Sequence, residues 1–175
     1  MVRRLGAAIV LVLAAISSPA WGDDDDADVM ITIEPKTHVT FGIGYGGPLG
    51  GTASFELLRG LGADVKEDAD RVKGIAGALL QLHAGTGGGK LSLGLGAHAH
   101  VRTEDFKGTA AAAFKLSLAR TWHSSIDSGG DGTYLGPEVE LSVMHVAVDL
   151  GVLFRLHGSG APGTLFSWGL GVRLP

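Results

Sequence analysis

The chain contains no cysteine. That excludes disulfide staples, thiolate metal sites, thiol catalysis and a lipidated N-terminal cysteine. Aromatic residues are sparse at 6% and charged residues stand at 18%, the latter below the roughly 25% of an ordinary soluble domain. Basic charge is not in excess: 14 Lys and Arg against 18 Asp and Glu leave a net charge of −4, so no positive field recruits nucleic acid. The longest apolar run, Leu5 to Ile16, is too short to cross a bilayer as a helix. Glycine, by contrast, is abundant at 29 of 175 residues, with no collagen-like period. A chain of this length is expected to form one domain.

The N-terminal run follows Arg3 and Arg4 and gives way to the small residues Ser18-Pro19-Ala20 and Ala20-Trp21-Gly22. A positive segment, an apolar segment and small residues in that order predict a cleaved signal peptide over 1–22, cut after Ala20 or Gly22. Asp23 to Asp26, with Asp28, repel one another and stay hydrated, so 23–35 reads as an acidic leader.

The remainder, 36–175, alternates. In Lys90 to Arg102, Leu91, Leu93, Leu95, Ala97, Ala99 and Val101 share one parity, while Lys90, Ser92, Gly94, Gly96, His98, His100 and Arg102 share the other. A period of two belongs to an extended strand with unlike faces. The pattern recurs in Lys36–Gly46, Thr52–Arg59, Arg71–Ala84, Thr109–Trp122, Thr133–Val143 and Thr164–Leu174, with Leu61–Asp70 read as a charged loop. Near Met144 the apolar parity flips, and Val146 to Leu156 continues on even numbers, which predicts a tight turn between two strands. About eight strands result, most near or above the 9–11 residues a tilted strand needs to cross a bilayer.

Alternation alone does not say which face is wet. The less apolar face is mostly small: Gly94, Gly96, Ala113, Ser117, Gly169 and Gly171. Small residues suit the inside of a narrow barrel, whereas a water-facing surface carries many Lys, Glu and Thr. The expected fold is therefore all-β, a closed antiparallel up-and-down membrane β-barrel, with the Leu and Val rows towards lipid and Trp122 and Tyr134 at an interfacial girdle. A soluble periplasmic lipocalin-like barrel that binds an apolar ligand is the alternative.

In its leader, its alternating strands and its apolar last strand, the chain resembles the small outer-membrane β-barrel proteins of Gram-negative bacteria. It departs from their pattern at the end, where Arg173-Leu174-Pro175 stands in place of a terminal aromatic residue. The resemblance implies the cell outer membrane as location, membrane lipid and the barrel-insertion machinery as partners, no cofactor, and a structural or interaction role without evident catalysis. With both termini periplasmic, the short loops after Gly46, Ala84, Trp122 and His157 would face outward.

Several groups invite chemistry. Folding the hairpin about His123–Gly132 sets Lys115 opposite Glu140, and folding the last hairpin sets Asp149 opposite Arg173; both are expected as interior ion pairs, because a buried charge persists only when paired. Asp127 to Glu138 gives Asp127, Asp131 and Glu138 an EF-hand-like spacing, with Gly129 where a ligand is expected, a weak calcium candidate. His98 and His100 share one inward face, and His145 is the further inward histidine a metal site would need. Gly85 to Ser92 imitates a phosphate loop without its first glycine or its following helix, so a hairpin turn is expected. His123-Ser124-Ser125 with Glu138 resembles the His-x-Ser and later Glu of the outer-membrane lipid A deacylases. That likeness implies an esterase with His123 as base, Ser125 as nucleophile and Glu138 as orienting carboxylate. The asparagine of those enzymes is replaced by Ile126.

Overall fold

The computed structural model describes residues 30–67, 70–102, 107–122, 125–126, 130–158 and 162–174. The stretch expected to be a signal peptide, 1–22, and the acidic run to Asp28 lie outside them. Eight antiparallel strands follow one another: β1 (Met30–Gly46), β2 (Gly50–Glu67), β3 (Asp70–Gly85), β4 (Gly88–Arg102), β5 (Lys107–Thr121), β6 (Gly132–Val143), β7 (Val146–His157) and β8 (Thr164–Leu174). Each pairs with its sequence neighbour, and β8 returns to β1, so the up-and-down sheet closes into a ring.

The register fixes the stagger of that ring. One row of paired residues runs Phe41, Phe55, Leu82, Leu91, Leu118, Leu135, Phe154 and reaches β8 at Thr164. Phe41 itself neighbours Leu174, ten residues further along β8. An even displacement lets every strand keep one parity inward. With eight strands it tilts them by roughly 40° against the axis.

The ring is not level at both ends. One end gathers the turns at 47–49 and 86–87, Trp122 and the connection after His157. At the other, β6, β7 and β8 stop at Val143, Val146 and Leu174, while β1, β2 and β3 run on. β1 pairs with β8 only over Phe41–Tyr45, and Met30–Thr40 pairs with β2 alone among the described residues. These eleven residues, tilted, carry the start of β1 roughly 25 Å beyond its pairing with β8, and β2 to β5 are paired in turn beside it over part of that length. Pro35 sits on this open edge. Trp168 N–H donates to Gly47 O in continuation of the β1–β8 register, so the odd residues of β1 point their backbone groups to that side. An edge is where a strand tolerates a residue without an N–H.

Two boundaries differ from the sequence reading. Leu61–Asp70 is not a loop: β2 continues to Glu67 and β3 begins at Asp70. Its charges do not break the strand, because Asp64 takes Arg71 across the pair, with Arg71 Nε donating at 2.8 Å. β1 also starts at Met30, inside the stretch assigned to the leader. The parity flip at Met144 is a turn, with Val143 paired to Val146 and Met144 at φ 58°. The Gly-rich stretch after Ala84 is a turn into β4, as expected.

Candidate functional site

The outer face holds the apolar parity. Leu95 is 69% exposed and Ile43 72%; Phe114, Leu141, Leu150, Phe166 and Leu170 are exposed with them. Tyr45 and Trp168 meet edge to face at 6.3 Å on this face, at the same end of the ring as Trp122, whose Nε1 donates to Thr86 O at 2.7 Å. Tyr134 is not in that belt: it points inward, fully buried, in a cluster with Ala119, Leu153 and Leu165.

Inside, ionic groups stack in two layers. Lys90 Nζ lies 2.9 Å from both carboxylate oxygens of Glu138, and the Ser117 and Ser167 hydroxyls also donate to Glu138. Below it, Lys115 Nζ donates to Glu140 Oε2 at 2.7 Å, to Asp149 Oδ1 at 2.5 Å and to Gln81 Oε1 at 2.7 Å. Arg173 reaches Glu56 at 2.6 Å, Glu140 at 2.5 Å and Asp149 at 3.8 Å. Gln81 Nε2 donates to Glu56 and Glu140 at 2.9 and 3.0 Å. Lys115, Gln81 and Glu138 are among the most buried side chains of the described residues. Charges taken from water at this depth need such multiple partners.

The register behind these contacts differs from the one expected. Lys115 stands opposite Glu138, and Glu140 opposite Ala113; Asp149 stands opposite Gly169, and Arg173 opposite Gly42. Lys115 still meets Glu140, its diagonal neighbour, and the long Arg173 side chain comes within 3.8 Å of Asp149 from four residues further along β8. Glu56 and Gln81 join the network without having been expected in it. Their signal is an inward polar parity on β2 and β3, which does not say which strands face each other across the ring. On β3 the inner face also carries apolar residues: Ile75 and Leu79 pack inside with Leu58 and Ala113.

The other candidates are scattered. His123 and Asp127 lie outside the described residues. Ser125 sits in the end layer, where its N–H donates to Trp122 O and its Oγ is buried without a partner among the described residues. Glu138 lies six residues into β6 from Gly132, roughly 20 Å along the strand, with both oxygens held by Lys90. Asp131 is exposed at the rim while Glu138 points inward. Of the described members, Ser125 is not beside Glu138, and Asp131 is not beside Glu138. Among the described residues no three His, Asp or Glu side chains converge as metal ligands.

Two spaces remain. A cavity of about 40 Å³ lies among His83, Lys90, Asp149, Thr52 and Ser54 under the Gly47–Leu49 turn. It is large and polar enough for ordered water beside His83 Nε2, which has no hydrogen-bond partner among the described residues. A chamber of about 380 Å³ opens at the other end, lined by His38, His98, His100 and His145 above Glu56, Glu140 and Arg173. His38, on β1, is an addition to the β4 histidines that the sequence alone does not place beside them. Its ring stacks on His98 at 4.3 Å and 25°, a contact across the ring between strands that are not neighbours.

No protein-family model, no curated protein and no solved structure matches this chain.

Proposed function

We propose that the chain is an integral outer-membrane β-barrel protein, with its Leu, Val and Phe rows in lipid and its interior closed by an ionic plug. Its role is structural or interactive, and it neither conducts solutes nor catalyses a reaction. One observation carries the reading. Large apolar side chains are exposed all round a ring whose centre holds Lys115, Glu138, Glu140 and Asp149. Soluble monomers rarely expose contiguous apolar patches beyond a few hundred Å², and a water-borne barrel would turn these rows inward. The belt runs the length of β8, whose 11 residues match the strand length a tilted barrel needs. Trp122, Trp168 and Tyr45 at one rim suit the lipid headgroup level.

The same observation weighs against the lipocalin-like alternative, which needs a dry apolar centre. The esterase alternative loses its orienting carboxylate, because Lys90, Ser117 and Ser167 occupy Glu138. Partners follow from the reading: membrane lipid along the belt, and the barrel-insertion machinery during biogenesis. The test is expression of the full chain in a Gram-negative host, with fractionation and a gel run with and without heating. Outer-membrane recovery and a heat-dependent mobility shift support the proposal. A soluble periplasmic protein with one mobility refutes it.

A further inference from the structure

The wall that β1 to β5 raise beyond the chamber ends in a row of like charges. Met30 is paired with Lys66, Lys66 with Arg71, Arg71 with Arg102 and Arg102 with Lys107. Arg71 and Arg102 stand directly opposite each other, as do Arg102 and Lys107, and like charges so placed repel. The next row inward holds Asp64, Lys73, His100 and Thr109 in the same register. Lys73, His100 and Thr109 line the chamber, so Arg71, Arg102 and Lys107, two residues away on the same strands, share that inner face. Asp64 takes Arg71 and lies 3.9 Å from Lys73. Arg102 and Lys107 are exposed and have no ion pair among the described residues.

A basic row of this kind calls for carboxylates, and the chain carries them where the row begins. Asp23, Asp24, Asp25, Asp26 and Asp28 precede Met30, the residue at one end of the row. These aspartates repel one another as the row does, and each set relieves the other. Their reach agrees. The segment 23–29 spans at most about 23–25 Å when extended. Strands lie about 4.8 Å apart, so β3, β4 and β5 stand roughly 10, 14 and 19 Å from β1 along the wall. Asp28 therefore falls within reach of the Arg71 guanidinium, and Asp23–Asp26 within reach of Arg102 and Lys107.

We propose that the acidic leader folds back over the open end of the ring and lies along this row, with Asp28 at Arg71 and Asp23–Asp26 at Arg102 and Lys107. The contact neutralises the row and lays carboxylates across the mouth of the histidine-lined chamber. It rests on strand register and charge alone, so it holds whether or not the outer face meets lipid. It also holds whether the chain is cut after Ala20 or after Gly22.

The experiment is zero-length carbodiimide coupling of the purified protein in detergent, with coupled peptides identified by mass spectrometry. Should the membrane reading fail, the same coupling is run in plain buffer. The expected result at low salt is coupling of the Asp23–Asp28 carboxylates to Lys107 and Lys73. The yield falls about tenfold at about 1 M NaCl, where screening shortens to about 3 Å. The double replacement Arg71→Gln, Arg102→Gln keeps both lysines as acceptors and lowers the yield several-fold. Glu104→Gln with Asp105→Asn, which removes the carboxylates of the β4–β5 connection, leaves it unchanged. Circular dichroism and thermal melting establish that each variant is folded, and the salt series on the parent decides where one is not. No coupling to the leader, coupling of Lys107 to Glu104 or Asp105 alone, or leader coupling indifferent to salt or to the arginine pair overturns the proposal.

Discussion

Lys115 and Glu140 are joined at 2.7 Å although they are not opposite each other in the β5–β6 ladder, where Lys115 faces Glu138. The lysine reaches diagonally and takes Asp149 as well. Removing it therefore leaves two carboxylates facing each other beside Arg173. Breaking a buried pair at one partner costs about 3–5 kcal/mol. Lys115→Met is expected to lower the urea midpoint of the refolded protein accordingly. The triple replacement Lys115→Met, Glu140→Gln, Asp149→Asn recovers most of the loss. An unchanged midpoint in Lys115→Met would show that the plug contributes nothing.

Gly60 and Gly77 are paired across β2 and β3. A Cβ on Gly60 would stand 1.9 Å from Ala76 O, and one on Gly77 2.2 Å from Arg59 O. Backbone cannot yield as a side-chain tip does, so Gly60→Ala is expected to destabilise by about 1–3 kcal/mol. Gly51 is the control, because a methyl added there would meet nothing within 4 Å. Gly51→Ala changes stability by less than about 0.5 kcal/mol. The two denaturation curves check this directly.

Met144 turns the chain between β6 and β7 at φ 58°. A left-handed conformation costs an L-residue roughly 1–2 kcal/mol. Met144→Asn or Met144→Gly is expected to raise stability by up to about 1 kcal/mol, measured as a higher unfolding midpoint. Met144→Val, branched at Cβ, lowers it.

Ser125 Oγ is buried without a partner among the described residues, and Glu138 is held by Lys90, Ser117 and Ser167. Ser125→Ala is expected to leave the acyl pattern of lipid A unchanged by mass spectrometry. The variant is as stable as the parent or slightly more so, since an unsatisfied hydroxyl is removed. Glu138→Gln, in contrast, strips Lys90 of its partner and lowers the midpoint. An acyl chain lost with the parent and retained with Ser125→Ala would restore the esterase.

Much of the ring is legible in the sequence because period-two alternation is a local signal. β8 has the bounds that its pattern gives, Thr164–Leu174, and the parity flip locates the Met144 turn. Three things are hidden. Strand length beyond the apolar belt is lost because Asp64, Lys66 and Arg71 look like loop residues when their cross-strand pairing is unknown. Register across glycine-rich loops is easily misjudged, since such loops fix no residue count between paired positions. The His38–His98 stack depends on the ten-residue stagger of the whole ring, which no short stretch of sequence encodes.

The central claim is that the Leu parity faces lipid and the Ser and Lys parity faces the centre. The absence of native cysteine makes the direct measurement clean: single cysteines at Leu93, Leu95, Leu141 and Leu170, each carrying a nitroxide, in the protein refolded into vesicles, with collision rates measured for oxygen and for a water-soluble nickel chelate. The account predicts high oxygen and low nickel accessibility at all four, with the strongest contrast at sites midway along the belt. Nickel accessibility equal to that of a label at the exposed rim residue Asp131 would contradict it.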